Sequence, residues 1–206
     1  MDVMRVDCGT CRARGPACQD CAISVLLGPM PDEVLLDGPE RAALAALAGM
    51  ARTEGLTMSH VKPHGALSNM ACVDPALAGT VVAAIKDFDP ALILLAPALS
   101  KLAEAGYLAG LPVVEEIFAD RAYLDDGQLV PRARADAMIH GAEASLAHVS
   151  AMLDEQALIS VTGKRLPCTI GSICVHGDGP DAVRTARFLR EELLHRGYRL
   201  APLELL

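Results

Sequence analysis

Three short clusters in this 206-residue chain have the residue types and spacing that amide chemistry requires: Lys62-Pro63-His64-Gly65, Asp120-Arg121 and His176-Gly177-Asp178. A lysine ammonium can polarise a carbonyl or hold a carboxylate or phosphorylated oxygen, and an imidazole beside it can shuttle a proton. His176 and Asp178 could share a proton or a metal, with Gly177 and Gly179 allowing close backbone approach; the alternative is a turn in which Asp178 caps the next helix. Lys62, His64, His176 and Asp178 are therefore the candidate catalytic residues. Asn69 reads as a substrate amide contact or a helix cap. Asp120 and Arg121 read as substrate-orienting groups or as a buried structural ion pair.

A second chemistry is written near the start. Cys8, Cys11, Cys18 and Cys21 form two C-x2-C pairs, and each such turn presents two sulfurs to one ion, as tetrahedral zinc needs. An iron–sulfur cluster, a redox dithiol and unliganded thiols are the alternatives. Cys72, Cys168 and Cys174 lie among apolar neighbours and read as small core residues. His140, His148 and His195 fall on predicted helices and read as solvated surface groups.

These residues need elements to position them. From Leu56 onward, strand, loop and helix recur. Leu56 to Lys62 alternates as a strand, Ala91 to Ala96 and Leu111 to Ala119 are apolar strand candidates, and Ser172 to His176 is another. Between them, Asp74-Pro75 opens a helix with Leu77, Val81 and Ile85 on one face. Further helices are expected over Leu99 to Gly106, Ala142 to Leu153 and Asp181 to His195, the last with a solvated, salt-bridged face, and the helices are expected to end at glycines. Asp37 with Glu40 announces one more helix, stopped at Gly55. Strands alternating with helices imply a parallel sheet, whose reactive groups sit on the loops leaving the carboxyl ends of the strands. All three ionisable clusters lie at such exits.

Composition narrows the function classes. Eighteen Lys and Arg against 26 Asp and Glu give a net charge of −8, which disfavours nucleic acid and anionic lipid as partners. With 52% hydrophobic residues and a mean hydropathy of +0.32 the chain is too apolar for disorder. No apolar run is long enough to span a membrane, and no secretory signal opens the chain. A cytoplasmic address with reduced cysteines follows. The expected domains are a Cys-rich, loop-rich module over residues 1–36 and an α/β portion over residues 37–206.

The runs Ser59-His60-Val61-Lys62-Pro63-His64-Gly65-Ala66-Leu67-Ser68-Asn69-Met70-Ala71, Glu116-Ile117-Phe118-Ala119-Asp120-Arg121-Ala122-Tyr123 with Leu129-Val130-Pro131-Arg132, and Cys174-Val175-His176-Gly177-Asp178 resemble the LamB/YcsF family, the A subunit of 5-oxoprolinase. The resemblance covers roughly residues 40 to 203. It implies a (β/α) barrel of the glycoside hydrolase/deacetylase type, ATP-dependent opening of 5-oxo-L-proline to L-glutamate, and partner subunits B and C. The family's opening motifs have no counterpart here, so the expected barrel is incomplete, with an open sheet edge inviting homo-oligomers; Ser68 stands where the family usually has Tyr, which removes an aromatic wall or hydroxyl from the site. The segment from Val6 to Gly28 is similar to short uncharacterised bacterial proteins with paired cysteines. Two other readings accompany this one: a non-catalytic zinc-binding or interaction protein with a vestigial barrel, and a metal-dependent deacetylase-like enzyme acting alone.

Overall fold

Asp74 starts the best-defined helix for a simple reason: its carboxylate accepts hydrogen bonds from the N–H groups of Ala76 (2.8 Å) and Leu77 (3.2 Å), and Pro75 needs no N–H partner. This helix, α2 (Pro75–Phe88), follows the short, two-turn α1 (Gly65–Ala71) and buries Ala78, Val82 and Ile85. The buried stripe is thus displaced by one residue from Leu77 and Val81, which are only half-buried. Ser100 caps α3 (Lys101–Leu108) through Ala103 N–H at 3.1 Å. Two longer helices, α4 (Ala142–Glu155) and α5 (Ala182–His195), complete the set. The computed structural model describes residues 57–177 and 181–203, the backbone of 4–7 and 33–36, and residues 49, 53 and 55.

Four parallel strands form the sheet that matters for function, in the order β3 (His60–Val61), β4 (Ile93–Pro97), β5 (Val113–Phe118) and β8 (Ser172–Cys174). Consecutive strands are neighbours and each return passes through a helix, as in a barrel and unlike a doubly wound sheet. The sheet is curled. Lys62 Nζ, at the exit of β3, lies 3.3 Å from Cys174 Sγ on β8. Three strand spacings, about 14 Å in a flat sheet, would otherwise separate them. The result is a parallel half-barrel.

Two antiparallel pairs lie outside this sheet. One joins β1 (Met4–Asp7) to β2 (Glu33–Leu36). The other is a hairpin of β6 (Ala157–Ile159) and β7 (Arg165–Pro167), turning at Gly163 with φ +84°. Neither was expected from the sequence. The expected strand Leu56 to Lys62 is reduced to two residues, because Pro63 lacks the N–H that would continue the ladder and the chain turns into α1. Glycine stops are also fewer than expected: α1 ends at Cys72, α2 at Asp89, and α4 at Gln156 with a left-handed φ of +49°. Cys8, Cys11, Cys18 and Cys21, and most of the helix expected after Asp37, lie outside the described residues; Gly49 and Thr53 are helical.

Packing divides along the sheet. Under α2 and α3 the core is apolar and rich in small residues, including Ala71, Ala78, Leu94, Ala96 and Leu102. Under α4 and α5 it contains Ile117, Phe118, Tyr123, Val149, Met152 and Leu158. Among the described residues no single helix is long and apolar enough to cross a membrane.

Candidate active site at the strand exits

In a parallel pair, residues in register face the same side, and side chains two apart along a strand do too. Glu116 is in register with Ser172, and Phe118 with Cys174. One step beyond the strands, Ala119 N–H still donates to Cys174 O at 2.9 Å, which carries the same order on to Asp120 and His176. Three rungs, Glu116/Ser172, Phe118/Cys174 and Asp120/His176, therefore lie on one face of the sheet.

The top rung is an acid–imidazole pair. His176 Nδ1 is 2.8 Å from both carboxylate oxygens of Asp120. A carboxylate accepts the Nδ1 proton, so the neutral ring keeps its lone pair on Nε2. The imidazole also stacks on Phe118, with ring centroids 5.6 Å apart and planes 13° from parallel. The lower rungs hold a cation. Lys62 Nζ forms an ion pair with Glu116, donates to Cys174 Sγ and sits 5.5 Å from the centroid of the same Phe118 ring. Burial alone pushes the Lys62 ammonium toward losing its proton. The hydrogen bond and charge of Glu116, helped by Cys174, outweigh that and hold its pKa above 10.5. Burial and the nearby Glu116 charge push the Cys174 thiol up, so it stays protonated and a weak nucleophile.

Every strand-exit candidate except Asp178 now has a place. Lys62, Asp120 and His176 converge around Phe118. His64, two residues past Lys62, occupies the N-cap position of α1 at the same end of the sheet, is exposed and forms no side-chain cap hydrogen bond. Asn69 is exposed within α1, where it cannot cap the start of that helix. Arg121 turns away from its neighbour: its guanidinium is buried and donates to Val130 O at 2.9 Å, bracing the following loop, while Asp120 pairs with His176. Asp178 lies outside the described residues. Among the described residues no group of three or more His, Cys, Asp or Glu is placed to hold a metal ion.

Three residues read differently in the structure. Cys174 is not simply a small core residue, since it lines the site and accepts from Lys62. His148 is not a solvated surface group. It is half-buried in α4, stacks on Tyr123 and donates through Nε2 to Arg121 O at 3.0 Å, and burial lowers its pKa below 6.5. His140 is exposed, as expected, but precedes α4 and belongs to a loop. Glu116 was missed as a site residue. Its signal was parity: counting back by twos from Asp120 reaches Phe118 and Glu116, just as His176 leads back to Cys174 and Ser172.

Strand exits of a curled parallel sheet, carrying an ion pair and an acid–imidazole pair around one aromatic ring, define an α/β protein of the barrel type with its polar groups gathered at the carboxyl ends of its strands. The chain belongs to the LamB/YcsF family, whose model matches residues 41–206. It is 52% identical over 160 residues to a protein of Azoarcus sp. (strain BH72) named as the A subunit of 5-oxoprolinase, covering 78% of this chain and 62% of that one. A protein of the same name from Nitrobacter winogradskyi is 45% identical over 163 residues, covering 79% of this chain and 64% of that one. The chain thus spans less than two thirds of the length of these curated relatives. The crystal structure of a lactam utilization protein from Thermus thermophilus superimposes with a TM-score of 0.71 at 34% identity, over 82% of this chain and 69% of that one.

Proposed function

We propose that the chain acts as a component of the 5-oxoprolinase A-subunit type: with partner subunits B and C it opens the lactam of 5-oxo-L-proline to L-glutamate at the expense of ATP, in the cytoplasm. The observation that carries the reading is the convergence of Lys62 and His176 on Phe118 in a chain so similar to proteins of that name. A lactam amide is a poor electrophile toward water, and ATP activates its oxygen before ring opening. Lys62, a permanent ammonium at neutral pH, holds the substrate carboxylate or the activated oxygen. His176, fixed by Asp120, takes a proton from water on Nε2 as the oxygen adds to the carbonyl carbon. It returns a proton to the ring nitrogen as the C–N bond breaks, giving the free amine and an acyl phosphate, which a second water hydrolyses to the side-chain carboxylate of glutamate and inorganic phosphate. His64 and Asn69, exposed at the start of and within the helix that leaves β3, serve in this reading as further substrate contacts, and Asp178 follows His176 in sequence.

The test is ADP release coupled to 5-oxo-L-proline, measured with and without subunits B and C. Substrate-dependent release in the complete mixture is expected. His176→Ala should lower turnover by about 100-fold, the scale of a positioned acid–base group. His140→Ala, in an exposed loop, should leave it unchanged. Release that ignores 5-oxo-L-proline, or equal effects of the two substitutions, overturns the reading.

A further inference from the structure

We infer that Glu116 is a positioning residue, which fixes Lys62 as a directed ammonium at the half-barrel mouth so that it captures the carboxylate of a small anionic substrate. The inference rests on the proposed lactam-opening role and names the part of the site that recognises the substrate's charge.

Glu116 and Glu115 are adjacent in sequence and differ entirely in surroundings. Glu115 faces the α3 side, where its carboxylate accepts from Leu99 N–H at 3.0 Å and from the Tyr107 hydroxyl at 3.0 Å; it ties a loop and a helix to the sheet. Glu116 faces the other way and is 3% exposed. A carboxylate buried this deeply in an apolar strand is costly unless its charge is paired and its oxygens are hydrogen-bonded. The charge is paired and one oxygen is hydrogen-bonded: Oε1 accepts from Ser172 Oγ at 3.3 Å, while Oε2 has no hydrogen bond of regular geometry and depends on the charge of Lys62 Nζ facing it. A fold needing only stability would place an apolar residue here, as at Ile117, its fully buried neighbour.

What the carboxylate does for Lys62 follows from the lysine's position. Its side chain remains 17% exposed, so it reaches the mouth. An ammonium has three donors, and Glu116 and Cys174 engage two, leaving one for a ligand. The Phe118 ring beneath Nζ limits where that ammonium can swing and adds a cation–π attraction. The same ring carries His176, so a carboxylate held by Lys62 is set at a fixed separation from the proton carrier. Kept protonated, the amine is neither nucleophile nor base, which assigns it to binding.

The experiment uses the full chain with Glu116→Gln and Glu116→Asp, each first checked for wild-type circular dichroism and cooperative unfolding. Acetylation of Lys62 by an amine-reactive ester at pH 8 is read by peptide mass spectrometry, with the surface Lys101 as internal reference. Glu116→Gln should raise Lys62 labelling about tenfold over Lys101, as for a fall of one pKa unit, and Glu116→Asp, whose shorter carboxylate reaches Lys62 less well, should give an intermediate ratio, above wild type and below Glu116→Gln. In the complex with subunits B and C, Glu116→Gln should raise KM for 5-oxo-L-proline about tenfold with a smaller change in kcat. Unchanged labelling in Glu116→Gln overturns the inference, and so does a loss confined to kcat. If the wild-type complex does not turn over 5-oxo-L-proline, the reaction reading fails, and the labelling ratio still decides what Glu116 does to Lys62. Should Glu116→Gln not fold, the shorter Glu116→Asp must itself raise labelling above wild type, or the inference falls.

Discussion

The two sides of the half-barrel solve different problems. Between α2, α3 and β4 the buried residues are almost all apolar, Ala interleaved with Leu, Ile and Val, and the buried polar side chains there are Ser68 and Ser100. Around β5, β8, α4 and α5 the core buries Glu116, Arg121, Ser145, Ser150, Ser160 and Thr185 among its leucines and aromatics. Burying polar groups is costly and demands partners, so a fold gathers them where a function needs them. The first side is the scaffold side, and the second, which carries the candidate site, the chemistry side. Lys62 is the contribution of the scaffold side to the site, reaching over the end of β4 to Glu116 and Cys174.

The sharpest test of this division is Leu94→Ala. Leu94 is fully buried on the scaffold side, and losing it should cost about 2–5 kcal/mol in urea unfolding. Turnover per folded molecule should stay at the wild-type level; a parallel collapse of turnover would break the comparison. A smaller effect is expected from Tyr123→Phe on the chemistry side. The buried phenol oxygen accepts the Phe118 N–H at 2.8 Å, so its removal strands a buried donor, at about 1–3 kcal/mol. Here stability and turnover should fall together, because Phe118 seats both Lys62 and His176. Unaltered turnover would show that the ring needs no such anchor.

The smallest expected effect is a dependence on pH. Burial depresses the His148 pKa, so the folded state binds fewer protons there than the unfolded chain. Its contribution to stability is complete above about pH 6.5, the unfolded value, and is lost as pH falls through the lower folded value. Urea midpoints measured from about pH 7.5 down to about pH 5 should therefore drop more steeply for wild type than for His148→Gln. Parallel slopes would return His148 to the surface role first expected of it.

What was legible in the sequence followed the strength of local signals. Asp74-Pro75, the helix expected over Leu99 to Gly106 and the apolar runs at 91–96 and 111–119 announced α2, α3, β4 and β5 to within two residues or so. The strand exits were legible too, which is how Lys62, Asp120 and His176 were found. The two-residue β3 was overextended because alternation says nothing about where a ladder loses its partner. The β6–β7 hairpin was missed because each strand is three residues long, although Thr162-Gly163 marked its turn. Glu116 and His148 escaped for a tertiary reason: a charged residue on a strand and a histidine on a helix look solvated until the register and a neighbouring carbonyl are known.

The register of β5 and β8 also ties the site to arithmetic. Ser172, Cys174 and His176 share the inner face only because they are an even number of positions apart and in step with Glu116, Phe118 and Asp120. One residue gained or lost just before Ser172 would deliver Ile173 and Val175 to the mouth and bury the imidazole behind the sheet, while two would restore the parity. The segment entering β8 has little slack to absorb such a change, since Gly171 sits where a Cβ would come within 2.8 Å of Val114. Length variation among natural or engineered versions of this segment should therefore come in even steps, or be displaced into the β6–β7 hairpin upstream.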